Sequence, residues 1–455
     1  MKTKNMTQGT PWKLILAVAL PLMLGNVFQQ LYTVVDTAIV GNVLGVTALA
    51  ALGASDWFNW MFMMIIQGLT QGFTIPVAQE YGAGDVPRLR RNAATAIKLS
   101  AIFGVVLCAA ALLTITPVLK TLNTPESILP TSRNYLIVLF SGTPILMAYN
   151  LLAGFLRALG DGKSPLIAMV IASVINIALD ILFVAGFGWG VEGAAAATVI
   201  AQAFSALYCY HCFRKIDVLH LSRKDFMPER SMTFRQLRLG TPLALQNIVI
   251  CVGGMVLQSI VNNMGVLFIA GYTATNKLYG ILEVAATSSG YAISTYMGQN
   301  LGARKFGRIR KGMRSALIMS VIISAVIGLS VMALGKPLLS LFITGTVEEV
   351  AESMKYGYEY LIVMCLGLPV LYVLHAYKNA LQGFGNTISP MISGFAEFIM
   401  RTGAALILPA FVGYWGIFLA EVLAWAGADV ILLFGYYKAQ SQFPRLDENI
   451  LQTNT

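Results

Sequence analysis

Two carboxylates stand in runs of sequence that are otherwise apolar. Asp36 shares its run with Asn26, Gln29 or Gln30, and Thr33, at steps of three and four that place them on one helical face. Asn176 and Asp180 stand four apart on a later run, and Thr198 lies on the next. A carboxylate at the centre of a bilayer costs about 2.5–3.5 kcal/mol on insertion scales, so each one needs a compensating reason. Two acids with amide and hydroxyl oxygens beside them can share a proton, because like charges do not both ionise readily. The same oxygens are hard ligands for a small cation such as Na⁺. Both chemistries stay open at this level. Hydrogen bonding between helices is the plainer explanation for polar residues in membranes, and it suits Asn176 or Thr198 alone. It suits the two acids poorly, since Lys98 is the single cation within the helices of that half. Asp36, Asn176, Asp180 and Thr198 are therefore the candidate cation or proton site.

Other internal side chains sort into weaker groups. Trp57, Trp60, Met61, Met63, Met64, Gln67 and Gln71 share one run. Such surfaces repack around apolar ligands and attract organic cations, although stripes of this kind more often serve packing. The candidate cavity for an organic ligand is Asn26, Gln30, Trp60, Met64, Gln67 and Glu283. Glu283 has two readings, a pair with Lys378 or a contact for a cationic ligand. Glu397 and Arg401, four apart, are expected to form a structural pair. His375, Glu421 and Asp429 complete the internal charges. Pro21 removes a helix hydrogen bond and favours a kink, so it is the candidate hinge.

Several signals are excluded. Cys209 and Cys212 flank His211, but no second ligand pair accompanies them. Gly188, Gly190 and Gly193 spell GxGxxG without the strand that motif needs, and read as a turn between helices. No P-loop is present, so ATP hydrolysis by that route is not expected. With three histidines and no nucleophile–base constellation, no catalytic residue and no cofactor are expected. The only metal considered is Na⁺, as a coupling ion.

These residues must be positioned by membrane helices. The chain has 455 residues, 57% hydrophobic and 11% charged, whereas a soluble domain is about one quarter charged. Twelve spans are expected, near 13–40, 50–78, 92–116, 134–156, 165–187, 192–213, 238–261, 266–297, 313–335, 357–382, 388–411 and 416–438. The first is read as a retained helix rather than a signal peptide, because a similar segment recurs at Leu239–Ile260.

An internal duplication organises the spans. At an offset of 220, Gln79, Gly82, Ala83, Arg88 and Arg90 match Gln299, Gly302, Ala303, Arg308 and Arg310. At an offset of 225, Tyr135–Val138, Gly142, Pro144, Gly160, Ser164 and Pro165 match Tyr360–Val363, Gly367, Pro369, Gly385, Ser389 and Pro390. The expected architecture is all-α, with twelve transmembrane helices in two homologous six-helix bundles and a pseudo-two-fold axis along the membrane normal. Residues 1–225 form the N-lobe with the start of the linker, and 226–455 form the C-lobe. Alternate loops and the termini hold 23 Lys and Arg, the opposite loops hold four, and four lie within helices. This excess places both termini in the cytoplasm and accounts for the net charge of +10 without nucleic acid.

The chain resembles the multidrug and toxic compound extrusion (MATE) family over essentially its whole length. The resemblance rests on Pro21 with Asp36, on Gln79–Gly84 (QEYGAG) and Gln299–Ala303 (QNLGA), on Arg157–Pro165 (RALGDGKSP) and Gln382–Pro390 (QGFGNTISP), and on Glu397–Arg401 (EFIMR). It implies two six-helix lobes in a V and secondary active export of amphipathic, often cationic, organic compounds against Na⁺ or H⁺. By the same resemblance, Asp36, Asn176, Asp180 and Thr198 match the N-lobe cation site of the DinF-like branch, and Pro21 lets the first helix bend. Another branch uses acids on helices seven and ten. Here those helices carry Gln246 and Gln258, and His375 and Lys378, so that carry-over stops. The alternative is a lipid-linked saccharide or lipid flippase of the same superfamily, whose anionic substrate would favour a basic cavity. The expected partners are small organic substrates and the bilayer, for a monomer in the inner membrane. The topology has a direct check. A cysteine probe near Asn123 should be labelled from outside sealed cells, and labelling of one near Arg223 would overturn the orientation.

Overall fold

The computed structural model describes residues 4–343 and 345–443, with Val46 described in its backbone alone. The extreme termini, expected in the cytoplasm, lie outside the described residues. The first half forms α1 (Pro11–Leu44), α2 (Val46–Ala83), α3 (Val86–Thr121), α4 (Leu129–Ser141), α5 (Thr143–Ala158), α6 (Lys163–Asp180) and α7 (Gly190–Arg214). The second forms α8 (Arg230–Val261), α9 (Val266–Gly302), α10 (Phe306–Leu339), α11 (Val347–Gly383), α12 (Ile388–Ile407), α13 (Pro409–Val412) and α14 (Trp415–Ser441). Among the described residues, ten of these segments are long and apolar enough to cross a membrane, and α4 with α5 forms an eleventh across a 46° bend. α9 is 37 residues long and more polar; as the counterpart of α2 it completes the twelve.

The apolar surface explains why a bilayer is required. Only 22% of the most apolar window of α3 and 17% of that of α10 is buried within the protein. Leu113, Val105 and Leu329 point outward. Water would penalise such continuous faces, whereas lipid does not.

The duplicated loop motifs are helix stops and starts. α2 ends on Gly84 at φ 75°, and Asp85 then caps α3 by accepting the Arg88 N–H at 2.9 Å. The second copy repeats this left-handed turn at Arg304, φ 56°, although the residue is not glycine. Gly160 and Gly385 are likewise left-handed. After them, Asp161 accepts the N–H groups of Lys163 and Ser164, and Asn386 accepts that of Ser389. Gly188 and Gly190 both have φ 67°, so the GxGxxG segment is a tight interhelical turn. The single span expected at 134–156 is instead broken at Gly142. A side chain there would meet Val199 at 2.6 Å, and Pro144 opens the next helix. The eleventh span breaks similarly before Pro409.

Two compact units result. The first comprises residues 4–6 and Leu20–Ala244, the second Thr7–Ala19 and 245–443. The division therefore falls inside α8, not at the expected 225/226 boundary in the linker. Packing of the start of α8 on the first unit is the reason. Gln236 donates to Asn92 O at 2.7 Å and Arg235 to Gln79 Oε1 at 2.6 Å. Gly72 leaves no room for a side chain against the Gly240 backbone, nor Gly68 against Ala244. In the second unit Lys305 and Arg308 hold the carbonyls of Thr7 and Gly9. Gly72→Ala should therefore cost roughly 1–3 kcal/mol by overpacking. Gly53→Ala, which meets nothing within 4 Å, should be neutral or mildly stabilising. Equal melting temperatures in detergent for the two variants would contradict the close approach.

Candidate functional site

The first unit brings Asp36 of α1 and Asp180 of α6 together. The two carboxyl groups lie close enough for each to act on the other. Asp180 is 0% exposed. Asp36 Oδ1 and both Asp180 carboxylate oxygens are buried without a donor. As two ionised carboxylates the pair is unsatisfied; one shared proton or one small cation would complete it. Asn176 is also buried and donates from Nδ2 to Thr198 Oγ1 at 3.4 Å, which leaves its own Oδ1 without a partner. The four candidate residues thus sit in one unit and offer acceptors but no buried cation.

Local structure aims these groups. Gly25 lets α1 approach α6 closely, since a side chain there would meet Met169 at 2.7 Å. Asp180 ends the regular part of α6, and Ile181–Gly186 continues as a π-helical turn. Phe187 then donates to Leu182 O at 2.8 Å, five residues back. Single π-turns of this sort widen a helix and often mark functional positions. α1 runs unbroken through Pro21.

Three residues of this neighbourhood escaped the sequence reading. Asp56 of α2 is an exposed carboxylate whose charge acts on Asp36. The phenols of Tyr32 and Tyr135 lie in the field of Asp36 and Asp180, and Tyr135 also in that of Asp56. A third acid inside an apolar run was a usable signal, hidden by the neighbouring tryptophans and methionines. The second copy offers a cross-check. At offsets of 220 and 225, Asp56 and Tyr135 correspond to Asn276 and Tyr360, and there Tyr360 donates to Asn276 Oδ1 at 3.4 Å.

The aromatic stripe of α2 divides. Phe58 and Phe62 pack with Phe140 in a core that Met61 joins. Trp57 and Trp60 form an edge-to-face pair at 5.6 Å, and Trp60 is 39% exposed. Asn26, Gln30, Met64 and Gln67 belong to the same unit as Trp60. Glu283 lies in the other unit.

There the charges are arranged differently from expectation. Glu283 does not pair with Lys378; its Oε1 is 3.5 Å from His375 Nε2, and Lys378 acts on it at longer range. Glu397 and Arg401 do pair, with Nη2 2.6 Å from Oε1. Arg401 also reaches Glu421 of α14, Nη2 at 2.8 Å and Nε at 2.9 Å from Oε2. The helical turn between Glu397 and Arg401 provides the first contact and the packing of α12 on α14 the second. Asp429, 8% exposed, has Oδ1 buried with no donor. Removing the guanidinium should leave two carboxylates exposed to each other in the protein interior. Arg401→Gln is expected to cost about 3–5 kcal/mol, read as a lowered melting temperature. Glu421→Gln, which spares the Glu397 contact, should cost less. The reverse order would show that the triad is not the structural clamp.

Comparison with known proteins bears on the family and the fold. The MatE family pattern matches residues 21–182 and again 242–407, one copy in each half. The chain is similar to the "Probable multidrug resistance protein YoeA" of Bacillus subtilis, 28% identical over 449 residues that cover 96% of this chain and 95% of that protein. It is also similar to the "FAD transporter" of Shewanella oneidensis, 23% identical over 85% of this chain and 86% of the relative. Among solved structures, an outward-facing multidrug resistance MATE family transporter superposes with a TM-score of 0.90 at 24% identity, over 97% of this chain and 98% of the other. The chain belongs to the MatE family of multi-pass membrane proteins, and it is a transporter rather than an enzyme.

Proposed function

We propose that this protein exports amphipathic, often cationic, organic compounds from the cytoplasm in exchange for Na⁺ or H⁺ taken up at Asp36 and Asp180. The observation that carries the reading is fully buried Asp180 beside part-buried Asp36, with three of their four carboxylate oxygens buried without a donor among the described residues. Such a pair is stable when it holds one positive charge and costly when it does not, so its occupancy biases conformation. Antiport requires that substrate and ion favour opposite states, because otherwise the gradient dissipates without work. Asn176 and Thr198 supply neutral oxygen beside the acids, and Asp56 adds negative potential. Resemblance to multidrug resistance proteins supports an organic substrate, and the exposed Trp60 with Met64 and Gln67 suits one of varied shape.

α1 passes from the second unit into the first between Ala19 and Leu20, beside Pro21, where the helix lacks one hydrogen bond. A change of charge at Asp36 can therefore be relayed as a change in the course of α1. In this reading the protein works as a monomer in the inner membrane, with its termini on the cytoplasmic side. The flippase alternative gains nothing from the first unit, where acids rather than cations line the site.

The deciding experiment is uphill efflux of a lipophilic cation from proteoliposomes, with Na⁺ and pH gradients imposed separately. Asp36→Asn keeps the shape of the protonated acid but cannot cycle. It should reach the membrane and lose gradient-driven transport, whereas Thr198→Ala should lose only part. Full efflux by Asp36→Asn would remove this pair from the coupling step.

A further inference from the structure

The two units carry the same polar framework with different charges. The loop blocks relate α6 to α12 by an offset of 225, which makes Arg401 the counterpart of Asn176 and Ala405 that of Asp180. For α7 and α14 the packing sets the offset. Gly142 is crowded by Val199, and its counterpart Gly367 is crowded in the same way by Val422. Gly193 and Gly416, both hemmed in near the start of their helices, keep this register. Thr198 therefore corresponds to Glu421. The hydrogen bonds correspond as well: Asn176 donates to Thr198 at 3.4 Å, and Arg401 donates to Glu421 at 2.9 Å.

In both units two carboxylates stand near this point, although from different positions: Asp180 is one helical turn after Asn176 with Asp36 beside it, whereas Glu397 is one turn before Arg401 and Glu421 takes the place of Thr198. Asp36 and Asp180 do so in the first, with orphaned oxygens. Glu397 and Glu421 do so in the second, with a guanidinium between them. The charge requirement is the same, and only the source of the positive charge differs. We propose that Arg401 is a tethered cation, occupying in the second unit the place where the first unit takes an exchangeable one. It rests on the cation-site reading of Asp36 and Asp180. At this point of the fold ion exchange is accordingly confined to the first unit, and the Glu397–Glu421 position is held permanently in the equivalent of an ion-loaded state. A covalently attached charge cannot leave, so the site in the second unit does not cycle.

The inference predicts that the sites can be interchanged. In an Asp36→Asn background, which removes the first site, Arg401→Asn should open a new one between Glu397 and Glu421. Bound radiolabelled Na⁺ in purified protein, and protons taken up on acidification, should rise by about one equivalent in total relative to Asp36→Asn alone. Arg401→Lys keeps a tethered charge and should show no rise. If Arg401→Asn does not fold, the double change Arg401→Asn with Glu421→Thr recreates the Asn176–Thr198 pair beside Glu397 alone. It should recover the monodisperse protein without binding a second ion. No gain of Na⁺ or protons in a folded Arg401→Asn variant overturns the proposal. Conversely, Asn176→Arg should fill the first site and abolish its ion binding in a folded protein, and retained binding also overturns it. Absence of ion binding in the wild-type first unit, with the gain at Arg401→Asn intact, would instead refute the coupling role of Asp36 and Asp180.

Discussion

A carboxylate buried among apolar helices is tolerable only with a positive charge or donors beside it, and this constraint governs both units. Lipid offers neither, and the helices that carry these acids have used their backbone groups internally. In the second unit Arg401 meets the requirement for Glu397 and Glu421, while Asp429 keeps one buried oxygen without a donor. In the first, Asp36 Oδ1 and both Asp180 oxygens lack a donor among the described residues. An unmet requirement at a buried site is a binding energy held for something that arrives and leaves. A met one is a structural clamp. The same physics thus leaves orphaned acceptors in one half and an ion-paired cluster in the other.

The surrounding architecture serves to hold these acids at short range without neutralising them. Close approach comes from small residues: Gly25 against α6, Gly142 against α7, and Gly68 and Gly72 against α8. The π-turn after Asp180 gives the end of α6 a different pitch from its first part. Basic residues of the first unit bind elsewhere. Lys98 donates to Phe226 O in the linker, and Arg90 to the carbonyls of Asp217 and Val218. Positive residues of α3 are therefore used to fasten the segment that connects α7 to α8.

Duplication followed by divergence of charge makes such asymmetry easy to reach. A pair of neutral hydrogen-bonding residues, Asn176 and Thr198, and an ion pair, Arg401 and Glu421, fit the same backbone positions. The Tyr360–Asn276 contact and its counterpart residues Tyr135 and Asp56 show the same exchange of an amide for an acid. Ala405 stands where the first unit has Asp180, so no acid occupies that point of the second unit.

The sequence by itself determined the membrane class, the twelve spans, the duplication and the identity of the two acids. Those properties are local or periodic: long apolar runs, helical spacing, repeated helix-cap motifs, and acids that have no business in lipid without a reason. Glu397 and Arg401 were legible because four residues is one helical turn. What only the tertiary structure decided is which distant side chains share those acids' surroundings. Glu421 joins Arg401 from another helix, His375 rather than Lys378 takes Glu283, and Asp56 and Tyr135 belong with Asp36. The division of α8 between units and the break at Gly142 also required it. In each case the deciding quantity was the separation of groups on different helices, which is set by how glycines and bulky side chains pack and leaves no period in the sequence.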